Sequence, residues 1–95
     1  MIRHVVMWRL HDNNPENRSE IFRLLNKLPD LIEDLESLEV GSNFNQSEFA
    51  YDLALITTHS DKAALERYRV HPEHIGVANR IKKLTKDRAV VDFEY

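Results

Sequence analysis

The segment YRVHPEHIGV, Tyr68 to Val77, holds the residue types that proton transfer at neutral pH requires. An imidazole titrates near pH 6.5, so a histidine can take up and return a proton close to neutrality. Abstracting a proton from a carbon beside a carbonyl needs such a base. The oxyanion that develops needs a donor, and a tyrosine hydroxyl can serve. Pro72 separates Tyr68, near the end of one helix, from His74, near the start of the next, so both side chains can face one cavity. His4 lies on the strand face that carries Trp8 and is placed to reach His74 or a substrate across that cavity. A plainer reading competes at each position. A single histidine in a small domain is more often hydrogen-bonded inside the core. A tyrosine there often packs as a core aromatic with its hydroxyl at the surface. The two readings separate on geometry: a working His74 faces a cavity, with the Tyr68 hydroxyl within reach of the same point.

The neighbouring groups read more conservatively. His71 and His74 have His-x-x-His spacing, but Pro72 starts a new element between them, so they need not share a face. No carboxylate–histidine motif supplies the three or four ligands that zinc wants, and no metal site is expected. His71 reads first as the turn between two helices, because the residue before a proline is held extended. Trp8 and Phe22 read as core before ligand contacts. His11 and His59, at strand ends, read as solvated. Asp92 alternates out of phase with Val91 and Phe93 and is expected to pair with Arg88, Arg3 or a partner chain. The basic run Lys82, Lys83, Lys86 and Arg88 invites a phosphate-binding reading. It sits at a helix C-terminus, however, where anions are not held, so a solvated face is expected.

The elements that must position these groups follow from periodicity. Ile2 to Leu10 alternates as a strand with apolar residues on both faces, which suits a central strand. Asn14 caps a helix with Pro15 at its first position, and Ile21, Leu24, Leu25 and Leu28 form its stripe until Pro29 stops it. Asp30 to Leu35 adds a turn. Leu38 to Gly41 is a short strand, Ser42 to Glu48 a loop, and Phe49 to His59 a second clear strand region. Ser60 is the expected cap of a short helix with Ala64, Leu65 and Tyr68 on its apolar side. Pro72 opens another, with Ile75, Ala78 and Ile81 as its expected stripe. Arg88 to Tyr95 is the final strand. The order βαββαβ predicts an α+β, ferredoxin-like domain. Helices cover one face of such a sheet. The other is apolar here, and a second copy of the chain is its expected cover.

Composition is consistent with one folded domain. The chain has 95 residues, 42% hydrophobic and 31% charged, with net charge −3 and no cysteine. A domain this size buries roughly 60–65% of its unfolded surface. The acidic balance gives no basic face for nucleic acid. Disulfides, thiolate nucleophiles and cysteine-ligated metals are excluded. MIRHVVMWRL is interrupted by Arg3, His4 and Arg9 and does not read as a signal peptide, and no apolar run reaches the roughly 20 residues of a membrane span. A cytoplasmic protein is expected.

Taken in order, MIRHVVMWRL, LESLEVGSNF, AYDLALIT, LERYRVHPEHIGV and DRAVVDFEY resemble the Dabb family, the stress-responsive dimeric α/β-barrel proteins, through essentially the whole chain. The resemblance implies two four-stranded sheets closing into a barrel across a homodimer, with a cavity between sheet and helices in each subunit. One plant branch is a polyketide cyclase that closes a ring by aldol condensation without a cofactor. Its tyrosine and histidine acid–base pair match Tyr68 and His74, and its first-strand pocket histidine matches His4. A further pocket histidine falls at Leu53, where this chain departs from the branch. On these grounds Tyr68, His74 and His4 are the candidate catalytic residues, and Trp8, Leu53 and His71 the candidate ligand contacts. Three functions stay open: a dimer of unassigned activity that binds a small apolar molecule, a cofactor-independent acid–base enzyme acting on a carbonyl compound, and a haem- or metal-handling barrel.

Overall fold

A computed structural model describes residues 1–95. Four strands, β1 (Ile2–Leu10), β2 (Ser37–Ser42), β3 (Leu53–His59) and β4 (Thr85–Glu94), and three helices, α1 (Pro15–Asn26), α2 (Lys62–Val70) and α3 (Pro72–Leu84), follow in the order β1-α1-β2-β3-α2-α3-β4. The sheet order is β2-β3-β1-β4 and every pairing is antiparallel. This is the ferredoxin-like α+β arrangement. β1 is central, as its two apolar faces require.

Local chemistry accounts for most element ends. The Asn14 side chain accepts from Asn17 N at 2.8 Å and Pro15 opens α1. α1 closes at Asn26, two residues before the expected end, and Leu28 to Asp30 form a 3-10 turn that carries Pro29 and buries Leu28 completely. The cap of α2 is Asp61, not Ser60: its carboxylate accepts from Ala64 N at 2.8 Å. β3 starts at Leu53, leaving Phe49 exposed in the preceding loop. β4 starts at Thr85, ahead of the expected Arg88, directly after α3.

Helices cover the inner face of the sheet. Ile2, His4, Val6, Trp8 and Leu10 are all buried there, with Leu53, Leu55, Thr57 and His59 of β3. Ile21 and Leu25 of α1, Tyr68 of α2, and Val77 and Ile81 of α3 close the core over them. The stripe of α3 therefore runs through Val77 and Ile81, and Ile75 lies outside it at 45% exposure. The outer face carries no helix. Val5 sits there between Ile56 and Val91, and Met7 between Ala54 and Ala89. Val91 and Phe93 are 60% and 42% exposed, so this face is apolar and open within one subunit. No helix is long and apolar enough to cross a membrane.

Candidate functional site

Tyr68 and His74 are brought together by the break between α2 and α3. His71 adopts an extended conformation (φ −65°, ψ 134°), which ends α2 and suits the residue before Pro72. Its Nδ1 accepts from Glu73 N at 3.1 Å and so caps α3. Helix ends leave their last carbonyls without intrahelical partners. One of these, Arg69 O, accepts from His74 Nδ1 at 3.0 Å. That bond fixes the tautomer: the proton is on Nδ1, and Nε2 carries a free lone pair. The Tyr68 and His74 rings then meet with centroids 4.4 Å apart.

His4 is held from the other side. Asp92 lies opposite it in the β1–β4 register, and His4 Nδ1 donates to Asp92 Oδ1. Nε2 of His4 is again left without a protein partner. His4 packs edge-on to Tyr68, with centroids 6.4 Å apart. Asp92 thus pairs with neither Arg88 nor Arg3. The partner it takes, His4, is set by strand register.

The three groups share a cavity of about 540 Å³. Val6, Trp8, Leu25, Leu55, Val77 and Ile81 supply its apolar wall, and Lys82, Lys86 and Arg88 also line it. That volume lies in the range of small-molecule sites. The Tyr68 hydroxyl is buried and is the one buried side-chain polar atom with no hydrogen-bond partner. Burial pushes its pKa up to about 12, against the opposing charge of Arg88. Burial also lowers the pKa of His74, partly offset by its bond to Arg69 O, and the charges of His4 and Arg88 lower it further. At neutral pH the pair is therefore a neutral hydroxyl donor beside a neutral imidazole base.

The remaining expected contacts divide. Trp8 lines the cavity. Leu53 does not: it is 1% exposed in the core, and the β3 residue on the cavity wall is Leu55. His71 is spent on the helix cap and stands outside the lining. His59 is not solvated. It is fully buried, its Nδ1 donates to Asp34 O at 2.8 Å, and its Nε2 accepts from the Thr57 hydroxyl at 2.9 Å. Its ring supports Tyr68 from behind at 4.8 Å. Tyr68 therefore sits among three imidazoles, of which His59 alone has both nitrogens engaged. No three His, Asp or Glu side chains converge as metal ligands.

A four-stranded antiparallel sheet, helices on one side, an open apolar face on the other and a titratable cavity between the layers define a ferredoxin-like domain of the α/β-barrel class. The chain belongs to the stress responsive A/B barrel domain family, Dabb, whose family model matches residues 2–95. It is 35% identical over 82 residues to an uncharacterized protein of Streptomyces coelicolor, covering 82% of this chain and 84% of that one. Two crystal structures described as dimeric, ferredoxin-like and of unknown function are similar to it throughout. The one from Thermobifida fusca is 26% identical, with TM-score 0.88 over 99% of this chain and 90% of that chain. The one from Bacteroides fragilis is 27% identical, with TM-score 0.83 over 99% and 95%.

Proposed function

We propose that the chain forms a homodimer through its open sheet face, and that each subunit binds a small, mostly apolar carbonyl compound and moves a proton on it. His74 Nε2 takes a proton from the carbon beside the carbonyl. The electron pair moves onto the carbonyl oxygen, which the Tyr68 hydroxyl meets as a hydrogen-bond donor. The His74 imidazolium then returns the proton from Nε2 as the carbonyl re-forms, and His4, oriented by Asp92, positions the substrate from the opposite wall. The dimer reading rests on the apolar outer face and on the dimeric state of the Thermobifida fusca and Bacteroides fragilis proteins.

The observation that carries the chemistry is the unpartnered hydroxyl of Tyr68, on a ring 4.4 Å from that of His74, whose Nδ1 is engaged and whose Nε2 is not. An unpaired buried hydroxyl costs about 1–3 kcal/mol, and a ligand oxygen is the partner that removes the cost. A second reading, binding without turnover, draws on the predominantly apolar cavity wall. Proton NMR in deuterium oxide separates them. With a panel of methyl ketones and 1,3-diketones, an acid–base enzyme speeds exchange at the α-carbon above the buffer rate, and His74→Gln removes the acceleration. Chemical-shift changes on binding with no exchange above His74→Gln across the panel leave binding alone.

A further inference from the structure

We infer that Lys82, Lys86 and Arg88 form an anion-recognition element on the cavity, and that the molecule bound there carries a carboxylate at one end of its apolar body. The inference deepens the reading of the cavity as a ligand site and rests on it. The three cations come from the end of α3 and the start of β4, and all three line the cavity while remaining exposed. None is in an ion pair or side-chain hydrogen bond within the chain, although Arg9, Arg67, Arg69, Arg80 and Lys62 all are. The one carboxylate on the lining, Asp87, faces Arg9 at 3.6 Å. An acidic chain of net charge −3 thus places three cations without an ion pair on this cavity.

Arg88 is the anchor of the three. It stands opposite Trp8 in the β1–β4 register, so a strand paired along its length holds it over the apolar wall. Its charge is felt at both Tyr68 and His74, which places it within electrostatic reach of the reacting end. A guanidinium offers carboxylate two parallel donors, and the two lysines add point charges. The C-terminal dipole of α3 points its negative end at the same region, a cost the three cations must outweigh and one that is larger for a dianion than for a single negative charge. The cavity therefore suits an apolar acid whose carboxylate stays at the cations while its carbonyl reaches Tyr68.

Fluorescence of Trp8, the single tryptophan and a wall residue, reports binding directly. Octanoate, octanamide and octyl phosphate are titrated into the dimer, in the wild type and in Arg88→Gln/Lys86→Gln. Octanoate is expected to bind about tenfold tighter than octanamide, the factor one charge-assisted hydrogen bond supplies. Added salt and the double substitution should both erase that preference while octanamide binding persists. Equal affinity for octanoate and octanamide, or a preference that survives the double substitution, overturns the inference and leaves the cavity a ligand site. Octyl phosphate binding tighter than octanoate overturns the carboxylate assignment. No response to any of the three removes the ligand site and the inference together.

Discussion

Replacing Tyr68 with Phe should make the protein more stable and less functional. The ring is 1% exposed and packs against His59 at 4.8 Å and His74 at 4.4 Å, contacts a phenyl ring keeps. What the substitution removes is one buried hydroxyl with no partner. Such a group costs about 1–3 kcal/mol when left unpaired, and deleting it without a change of shape recovers part of that. We expect Tyr68→Phe to raise the unfolding free energy by about 1 kcal/mol. For a domain near 100 residues that is about 4–8 °C in Tm. Urea unfolding at pH 7 should show a higher midpoint with an unchanged slope. Protomer concentration must be matched, because a dimer's midpoint depends on it. Loss of an oxyanion donor costs on the order of 10²-fold in rate, so α-carbon exchange should fall as stability rises. Opposite signs for stability and activity mark a group kept for use and not for packing. A variant destabilised by more than about 1 kcal/mol would refute the reasoning, since the hydroxyl would then be held by a partner in the native state.

Three further outcomes follow from the same geometry. Burial holds His59 and His74 below their ordinary range, so between the folded values and about pH 6.5 the unfolded chain binds more protons and stability falls as pH falls. Urea midpoints should be level above about pH 7.5 and decline below about pH 6.5, and a profile level down to pH 5.5 would contradict the shifts. Val91→Asp puts a carboxylate on the open face beside Val5, where a single subunit leaves the position 60% exposed. Sedimentation equilibrium should show a dimer for the wild type and a folded monomer for the variant, and an unchanged mass would move the interface elsewhere. His71→Ala should cost about 1 kcal/mol through loss of the α3 cap, while His71→Asn, a good capping residue, should retain most of it. Equal losses in the two variants would show that His71 does something besides capping.

Much of this architecture is legible in the chain because single elements carry their own period. β1 alternates strictly, and its inward set is the buried set. Asn14–Pro15 and His71–Pro72 mark helix starts by local chemistry alone. Other features depend on tertiary packing. Ser60 and Asp61 are both competent caps, and only the backbone at Asp61 (φ −158°, ψ 178°) selects one. His59 ends its strand and looks solvated, yet Asp34 O, 25 residues earlier, and Tyr68 of the following helix enclose it. The expected stripe of α3, Ile75, Ala78 and Ile81, is rotated in the structure to Val77 and Ile81. With His74 inward, the positions that follow it inward are Val77 and Ile81 at i+3 and i+7, and Ile75 must turn outward. The His4–Asp92 pair is invisible to spacing because it requires the register between β1 and β4. The same holds for Lys82, Lys86 and Arg88: helix-end position predicts solvation, and only the strand that follows brings them along the cavity.

The pairing of His4 with Asp92 spans 88 residues. Contacts that distant close late, because loop entropy must be overcome before they contribute. The α2–α3 break can set Tyr68 beside His74 from local sequence, but the fully oriented cavity exists only once β4 docks against β1. Competence thus depends on that docking: without it the tyrosine, the base and His4 remain, but His4 lacks the carboxylate that orients it. The reverse also applies. Any fluctuation that frees β4 takes Asp92 and Arg88 with it, so amide exchange along β4 should report the lifetime of the assembled site as well as the strength of the strand.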